Sequence, residues 1–90
     1  MSKTYALITG ASSGIGLEIA RQLAARRMHV TLVARSGDVL EEVARELTER
    51  FGVDVRTATL DLSESDGCEA LEHLIEEDER ELTLLVNNAG

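Results

Sequence analysis

The sequence predicts an α/β fold, a doubly wound parallel sheet of four strands in the order 3-2-1-4 with three helices in flanking layers, and three observations carry that expectation. Four short apolar runs alternate with three amphipathic ones. The third apolar run is broken by charge, whereas the first and last are nearly continuous. No proline, linker, repeat or low-complexity tract interrupts the alternation.

Tyr5 to Thr9 reads as the first strand, and Ile15, Ile19 and Leu23 with Ala20 and Ala24 recur at helical spacing behind it. His29 to Ala34 forms the second strand. Leu40, Val43, Ala44, Leu47 and Phe51 mark the second helix, with Gly52 placed to stop it. Val53 to Leu60 is the third strand. Ser63, followed by the acidic turn of Glu64 and Asp66, is the expected N-cap of a third helix whose apolar face is Leu71, Leu74 and Ile75. Leu82 to Val86 closes the series as the fourth strand. In the third strand Val53, Asp54, Val55, Arg56 and Thr57 alternate apolar and polar, the pattern of a sheet edge, while Ala6, Leu7, Ile8 and the fourth run read as deeper strands. That contrast selects the order 3-2-1-4. Right-handed crossovers then put the first two helices on one face and the third on the other.

Ninety residues, 43% hydrophobic and 29% charged, fit one folded domain and exclude both a second domain and a disordered chain. No apolar run reaches the ~20 residues of a membrane span, and the start MSKTYALITG lacks the zones of a signal peptide, so a cytoplasmic protein without a membrane partner is expected. One cysteine, Cys68, excludes an internal disulfide and a multi-cysteine metal site, and its isolation on a helix predicts a buried thiol. His29 and His73 stand apart without metal-ligand spacing, so no metal is expected. The net charge of −8 excludes nucleic acid as a partner. Its distribution is uneven. Residues 1–37 hold five basic and one acidic side chain, and residues 38–90 hold four basic and sixteen acidic, which favours a small anionic ligand near the N-terminus. The acidic run Glu76, Glu77, Asp78, Glu79 has no reading beyond solubility.

The stretch Thr9-Gly10-Ala11-Ser12-Ser13-Gly14-Ile15-Gly16 joins the first strand to the first helix, where a pyrophosphate meets free N–H groups and the positive end of the helix. Gly10 permits the tight turn, Gly14 a close backbone approach to phosphate, and Gly16 a close approach of helix to sheet, while Ser12 and Ser13 add hydroxyl donors. This stretch resembles the T-G-x-x-x-G-x-G motif of the short-chain dehydrogenase/reductase family. Asp61-Leu62 after the third strand is similar to that family's adenine-contacting dipeptide, and Asn87-Asn88-Ala89-Gly90 to its N-N-A-G motif after the fourth. The resemblance runs from Thr9 to Gly90 and implies the first half of a Rossmann-type fold, so residues 1–90 are expected to be one incomplete dinucleotide-binding domain.

An acid at the end of the second strand bonds a ribose 2′-hydroxyl and repels a 2′-phosphate. Here that end reads Ala34-Arg35-Ser36, with Arg35 nineteen positions past Gly16, so NADP(H) is favoured over NAD(H). In the family resemblance the basic residue of NADP-using members falls on Arg35, with Ser13 and Ser36 assisting. The resemblance also implies that Ile15 belongs to the phosphate loop, that Asp61 and Leu62 read the adenine, and that Asn87, Ala89 and Gly90 border the adenosine ribose. An aspartate ahead of a helix can instead serve as its cap, although Ser63 is available for that task.

The family's proton-transfer set, a serine with Tyr-x-x-x-Lys, follows N-N-A-G and is not found between residues 1 and 90. Tyr5 and Lys3 stand in the wrong order and place for that chemistry, and Tyr5 reads as a strand residue. Two functions remain: the cofactor half of an NADP-dependent oxidoreductase acting on a carbonyl or hydroxyl substrate, or a stand-alone nucleotide-binding module without catalysis. With the fourth strand as an outer strand carrying Leu82, Leu84, Leu85 and Val86, self-association through it or marginal stability is expected.

Overall fold

A computed structural model describes residues 3–88. The elements alternate as expected: β1 (Thr4–Thr9), α1 (Gly14–Ala25), β2 (Val30–Ala34), α2 (Gly37–Phe51), β3 (Val55–Thr59), α3 (Ser65–Glu77) and β4 (Glu81–Val86). All strand pairs are parallel, in the order β3-β2-β1-β4. The charged third strand is an edge, as its alternation requires.

Two cores lie on opposite faces of the sheet. Ala6, Ile8, Val30 and Leu32 pack under Ala20 and Ala24 of α1 and Leu40, Val43 and Leu47 of α2. Tyr5, Leu7 and Val33 point the other way, onto Leu71, Leu74 and Ile75 of α3. The period of two along β1 divides its side chains between the two cores. The α1 face differs from the expected one at its start. Ile15 is 71% exposed, and the buried residues are Gly16, Ala20 and Ala24. Small residues four apart let α1 lie close to the sheet, which turns Ile15 outward.

Gly52 ends α2 in the left-handed conformation (φ 68°), its N–H donating to Thr48 O. Arg27 (φ 69°) takes the same conformation after α1, where Arg27 N donates to Ala24 O and Met28 N to Leu23 O, a double closure usually built on glycine. Ser63 does not cap α3. That helix starts two residues later with Glu64 at its N-cap, because the Ser63 hydroxyl is already bonded to Asp61. Cys68 is exposed rather than buried. It lies on the first turn of α3, upstream of the Leu71, Leu74, Ile75 stripe, and its Sγ is 3.4 Å from Leu62 O.

At the N-terminal end of the strands the acidic run acquires a function in stability. Asp78 caps the end of α3 and accepts three hydrogen bonds from Arg80, from its backbone N–H (2.9 Å), Nε (2.9 Å) and Nη2 (2.7 Å). The Arg80 guanidinium lies 4.3 Å from the Tyr5 ring centroid, reaches Thr31 Oγ1 at 3.3 Å and stands 3.6 Å from Asp54 Oδ2. One cation thereby joins the approach to β4, β1, β2 and the approach to β3. Both side chains are buried, with 3% of Arg80 and 6% of Asp78 exposed. The Arg80 hydrogen bonds hold the Asp78 carboxyl at about 2, below the usual carboxylate range, and burial pushes the Tyr5 phenol up.

In β4 the register slips between Tyr5 and Ala6, so that Tyr5 pairs with Leu82 but Ala6 with Leu84. Thr83 occupies the bulge, its hydroxyl 3.3 Å from Tyr5 O. Among the described residues the outer edge of β4 is unpaired. Leu84 (40% exposed) and Leu85 (50% exposed) fall on opposite faces beside it. No helix among the described residues is long and apolar enough to cross a membrane.

Candidate functional site

In a parallel sheet every helix begins near the C-terminal ends of the strands, so the loops after β1, β2 and β3 open on one side of the molecule. The chain moves from β1 outward to β2 and β3, then returns to place β4 on the other flank of β1. At this reversal lies a cleft of about 740 Å³.

Its floor is the turn from β1 into α1. Gly10 has φ 64°, and a side chain there would collide with the Asn88 carbonyl. Gly16 lies beneath the cleft, where a Cβ would meet Gly10 O and come within 2.8 Å of Asn88 Nδ2. Helix, loop and the end of β4 therefore meet backbone to backbone. Gly14, also at positive φ, has open space where a side chain would project. Ser12, Ser13, Gly14 and the exposed Ile15 line this part of the cleft. Ser13 is the N-cap of α1 and makes no side-chain capping bond, and its carbonyl accepts from Leu17 N at 3.4 Å. The N–H groups of the first turn are left for an acceptor in the cleft.

A second wall comes from β2 and α2. Arg35 and Ser36 lie on the cleft; both are exposed, and Ser36 makes no side-chain capping bond to α2. The third wall is the loop after β3, with Leu60, Asp61, Leu62 and Ser63. One Asp61 oxygen, Oδ1, accepts from Ser63 N (3.0 Å) and Ser63 Oγ (2.6 Å). These bonds, aided by the positive charge of Arg35, hold the Asp61 carboxyl below its ordinary range.

Of the residues singled out by sequence, Gly10, Ser12, Ser13, Gly14, Ile15, Arg35, Ser36, Asp61 and Leu62 are brought together on the cleft. Gly16 supports it from behind. Asn87 does not line it; its Oδ1 takes the Thr9 hydroxyl at 3.1 Å, and Asn88 lines the cleft instead. Ala89 and Gly90 lie outside the described residues. Sequence reasoning passed over Thr9, whose hydroxyl accepts from Asn88 N at 2.9 Å and ties the end of β4 to β1, although its place at the head of the glycine motif was a signal.

Comparison with known proteins agrees with the geometry. The profile of the family described as short chain dehydrogenase matches residues 4–90, and the chain belongs to that family. It is 37% identical over 94 residues to a very-long-chain 3-oxoacyl-CoA reductase of Anas platyrhynchos, covering 96% of this chain and 27% of that protein. It is 44% identical over 85 residues to a fatty acyl-CoA reductase of Acinetobacter baylyi, covering 94% and 28%. Among solved structures, a short-chain dehydrogenase from Sphingobium yanoikuyae in complex with NADPH superposes with a TM-score of 0.89 at 41% identity, over 98% of this chain and 34% of that one. L-sorbose reductase from Gluconobacter frateurii, complexed with NADPH and L-sorbose, gives 0.89 at 44% identity, over 99% and 34%. The chain thus spans about a quarter of the length of these curated relatives and a third of these solved structures.

Proposed function

We propose that residues 1–90 form one dinucleotide-binding unit, the NADP(H)-binding part of an oxidoreductase acting on a carbonyl or hydroxyl substrate. The observation that carries this reading is the meeting, on one cleft, of an uncapped helix N-terminus, a cationic wall at Arg35 and a carboxylate at Asp61. The donor set fits the cofactor. The pyrophosphate takes the first-turn N–H groups of α1 and the hydroxyls of Ser12 and Ser13, with Gly10, Gly14, Ile15 and Gly16 shaping the approach. Arg35 and Ser36 take the 2′-phosphate, which an exposed guanidinium suits better than it suits a hydroxyl. Asp61 accepts from the adenine amino group, Leu62 borders the ring, and Ala89 and Gly90 border the ribose, with Asn87 holding that end of β4 through Thr9. NADPH complexes among its structural neighbours support the choice of dinucleotide.

When bound, the cofactor supplies or accepts a hydride. No proton-transfer step is assigned to Tyr5, which is 1% exposed and lies on β1 four residues before the cleft, under Arg80. The reading places the protein in the cytoplasm, where the exposed Cys68 thiol stays reduced, and gives the free edge of β4 a second copy of this chain as partner. Titration with NADPH and NADH, followed by nicotinamide fluorescence, tests the cofactor assignment. NADPH is expected to bind about tenfold or more tightly, the worth of one charge-assisted contact. Equal affinities, or no binding of either, overturn it.

A further inference from the structure

The geometry points to Ser63 as the positioning residue that makes the cleft selective for a 6-amino purine. The inference rests on the proposed placement of adenine beside Asp61 and adds a residue and a selectivity to it. Asp61 is fixed from three sides. Its carbonyl accepts from Glu64 N at 3.2 Å, and Gly67, at the start of α3, packs so closely on that carbonyl that no side chain would fit there. Its carboxylate is turned by Ser63, whose backbone N–H and hydroxyl both donate to Oδ1. Oδ2 makes no hydrogen bond among the described residues, and Asp61 lines the cleft.

Two donors on one oxygen do two things. They select a single carboxylate orientation, and they favour the ionised form, in which the group can only accept. An acceptor-only oxygen pairs with the amino group of adenine. The 6-oxo group of hypoxanthine is itself an acceptor and meets that oxygen with repulsion and an unpaired polar group, which is the stronger source of discrimination. Ser63 thus contributes without contacting the base. The sequence placed it as a helix cap, but its hydroxyl points back to Asp61, not forward to α3.

The test compares affinities for NADPH and its hypoxanthine counterpart in the unsubstituted chain, Ser63→Ala and Ser63→Thr. The unsubstituted chain is expected to prefer the adenine form. Ser63→Ala should reduce that preference about three- to tenfold, the range for one ordinary hydrogen bond, since the hydroxyl acts on the base only through the carboxylate, and Ser63→Thr, which keeps the hydroxyl, should restore it. The acid limb of NADPH binding should also move to higher pH in Ser63→Ala, since Asp61 loses a donor that favours its anion. A Ser63→Ala chain that binds both forms more weakly but keeps the ratio makes Ser63 merely structural and overturns the inference. An unsubstituted chain that binds NADPH without preferring adenine removes Asp61 from the base and overturns the inference while leaving the cofactor assignment standing. A chain that binds neither form overturns both.

Discussion

Removing the Arg80 guanidinium by Arg80→Met should destabilise the chain far more than a surface charge would, and should also change how stability responds to acid. In the folded chain Asp78 titrates at about 2, against roughly 3.9 for an unperturbed aspartate, a difference worth about 2.5 kcal/mol. Because the folded value is the lower one, the unfolded chain binds the proton more readily between these limits. The stabilisation is therefore complete above pH ~4 and lost as pH falls towards 2. Arg80→Met removes most of it at every pH and leaves a carboxylate only 6% exposed with Arg56 Nη1, 3.7 Å away, as its remaining cation, a loss of about 3 kcal/mol at neutral pH, the lower end of the range for breaking a buried pair. A domain of this size has about 5–15 kcal/mol in total, so the midpoint of thermal unfolding should drop by 10 °C or more. Asp78→Asn alone should be costly for the converse reason. The double substitution should be less harmful than the two singles added, because the second change leaves no further charge stranded. Urea unfolding followed by circular dichroism, at neutral pH and in steps down to about pH 2, measures all of this for the four chains. Additive losses, or an Arg80→Met chain with the same acid slope as the unsubstituted one, refute the pairing as the source of stability.

Arg35→Asp should move cofactor preference towards NADH, since the 2′-phosphate loses its cation and meets a carboxylate; an unchanged ratio of NADPH to NADH affinity counts against the Arg35 assignment. Gly16→Ala should destabilise by about 1–3 kcal/mol and weaken NADPH binding together, because its methyl would press on the Gly10 carbonyl and force the phosphate loop to shift; a stable Gly16→Ala chain with unaltered affinity refutes this. The purified 90-residue chain should self-associate through β4 in light scattering, and Leu85→Lys should reduce the assembly by placing charge beside the open edge. A monomer without the substitution refutes that reading.

The architecture was legible because hydrophobic period and charge placement act locally. Leu40, Val43 and Leu47 announce the buried face of α2, and the Asp54 to Thr57 alternation marks β3 as an edge before any contact is known. The cleft was legible for a related reason, since glycines are placed by backbone requirements that spacing reveals. Other features depend on where a side chain turns in three dimensions. Asp78 read as part of a solvating acidic run because sequence does not show that the turn into β4 carries the Arg80 guanidinium over Tyr5. Ser63 read as a cap because the choice between Asp61 and α3 rests on one rotamer. Ile15 read as the start of the apolar stripe of α1 as well as part of the phosphate loop, because helical spacing does not register how near α1 lies to the sheet, and the small residues Gly16, Ala20 and Ala24 decide that distance. Cys68 was expected to be buried from its isolation on a helix, which says nothing about which side of that helix a thiol takes.

The meeting of Gly10, Gly16 and Asn88 leaves the base of the cleft made almost entirely of main chain. A surface of that kind is hard to retune by substitution, because nearly every change there adds bulk and moves three segments at once. The chemistry that can be altered is confined to the walls, at Arg35 and Ser36 on one side and at Asp61 and Ser63 on the other, which are exposed or half-buried and borne on separate loops. The cleft is therefore divided into a part that fixes where phosphates sit and parts that decide which nucleotide brings them, and the second can be exchanged without rebuilding the first.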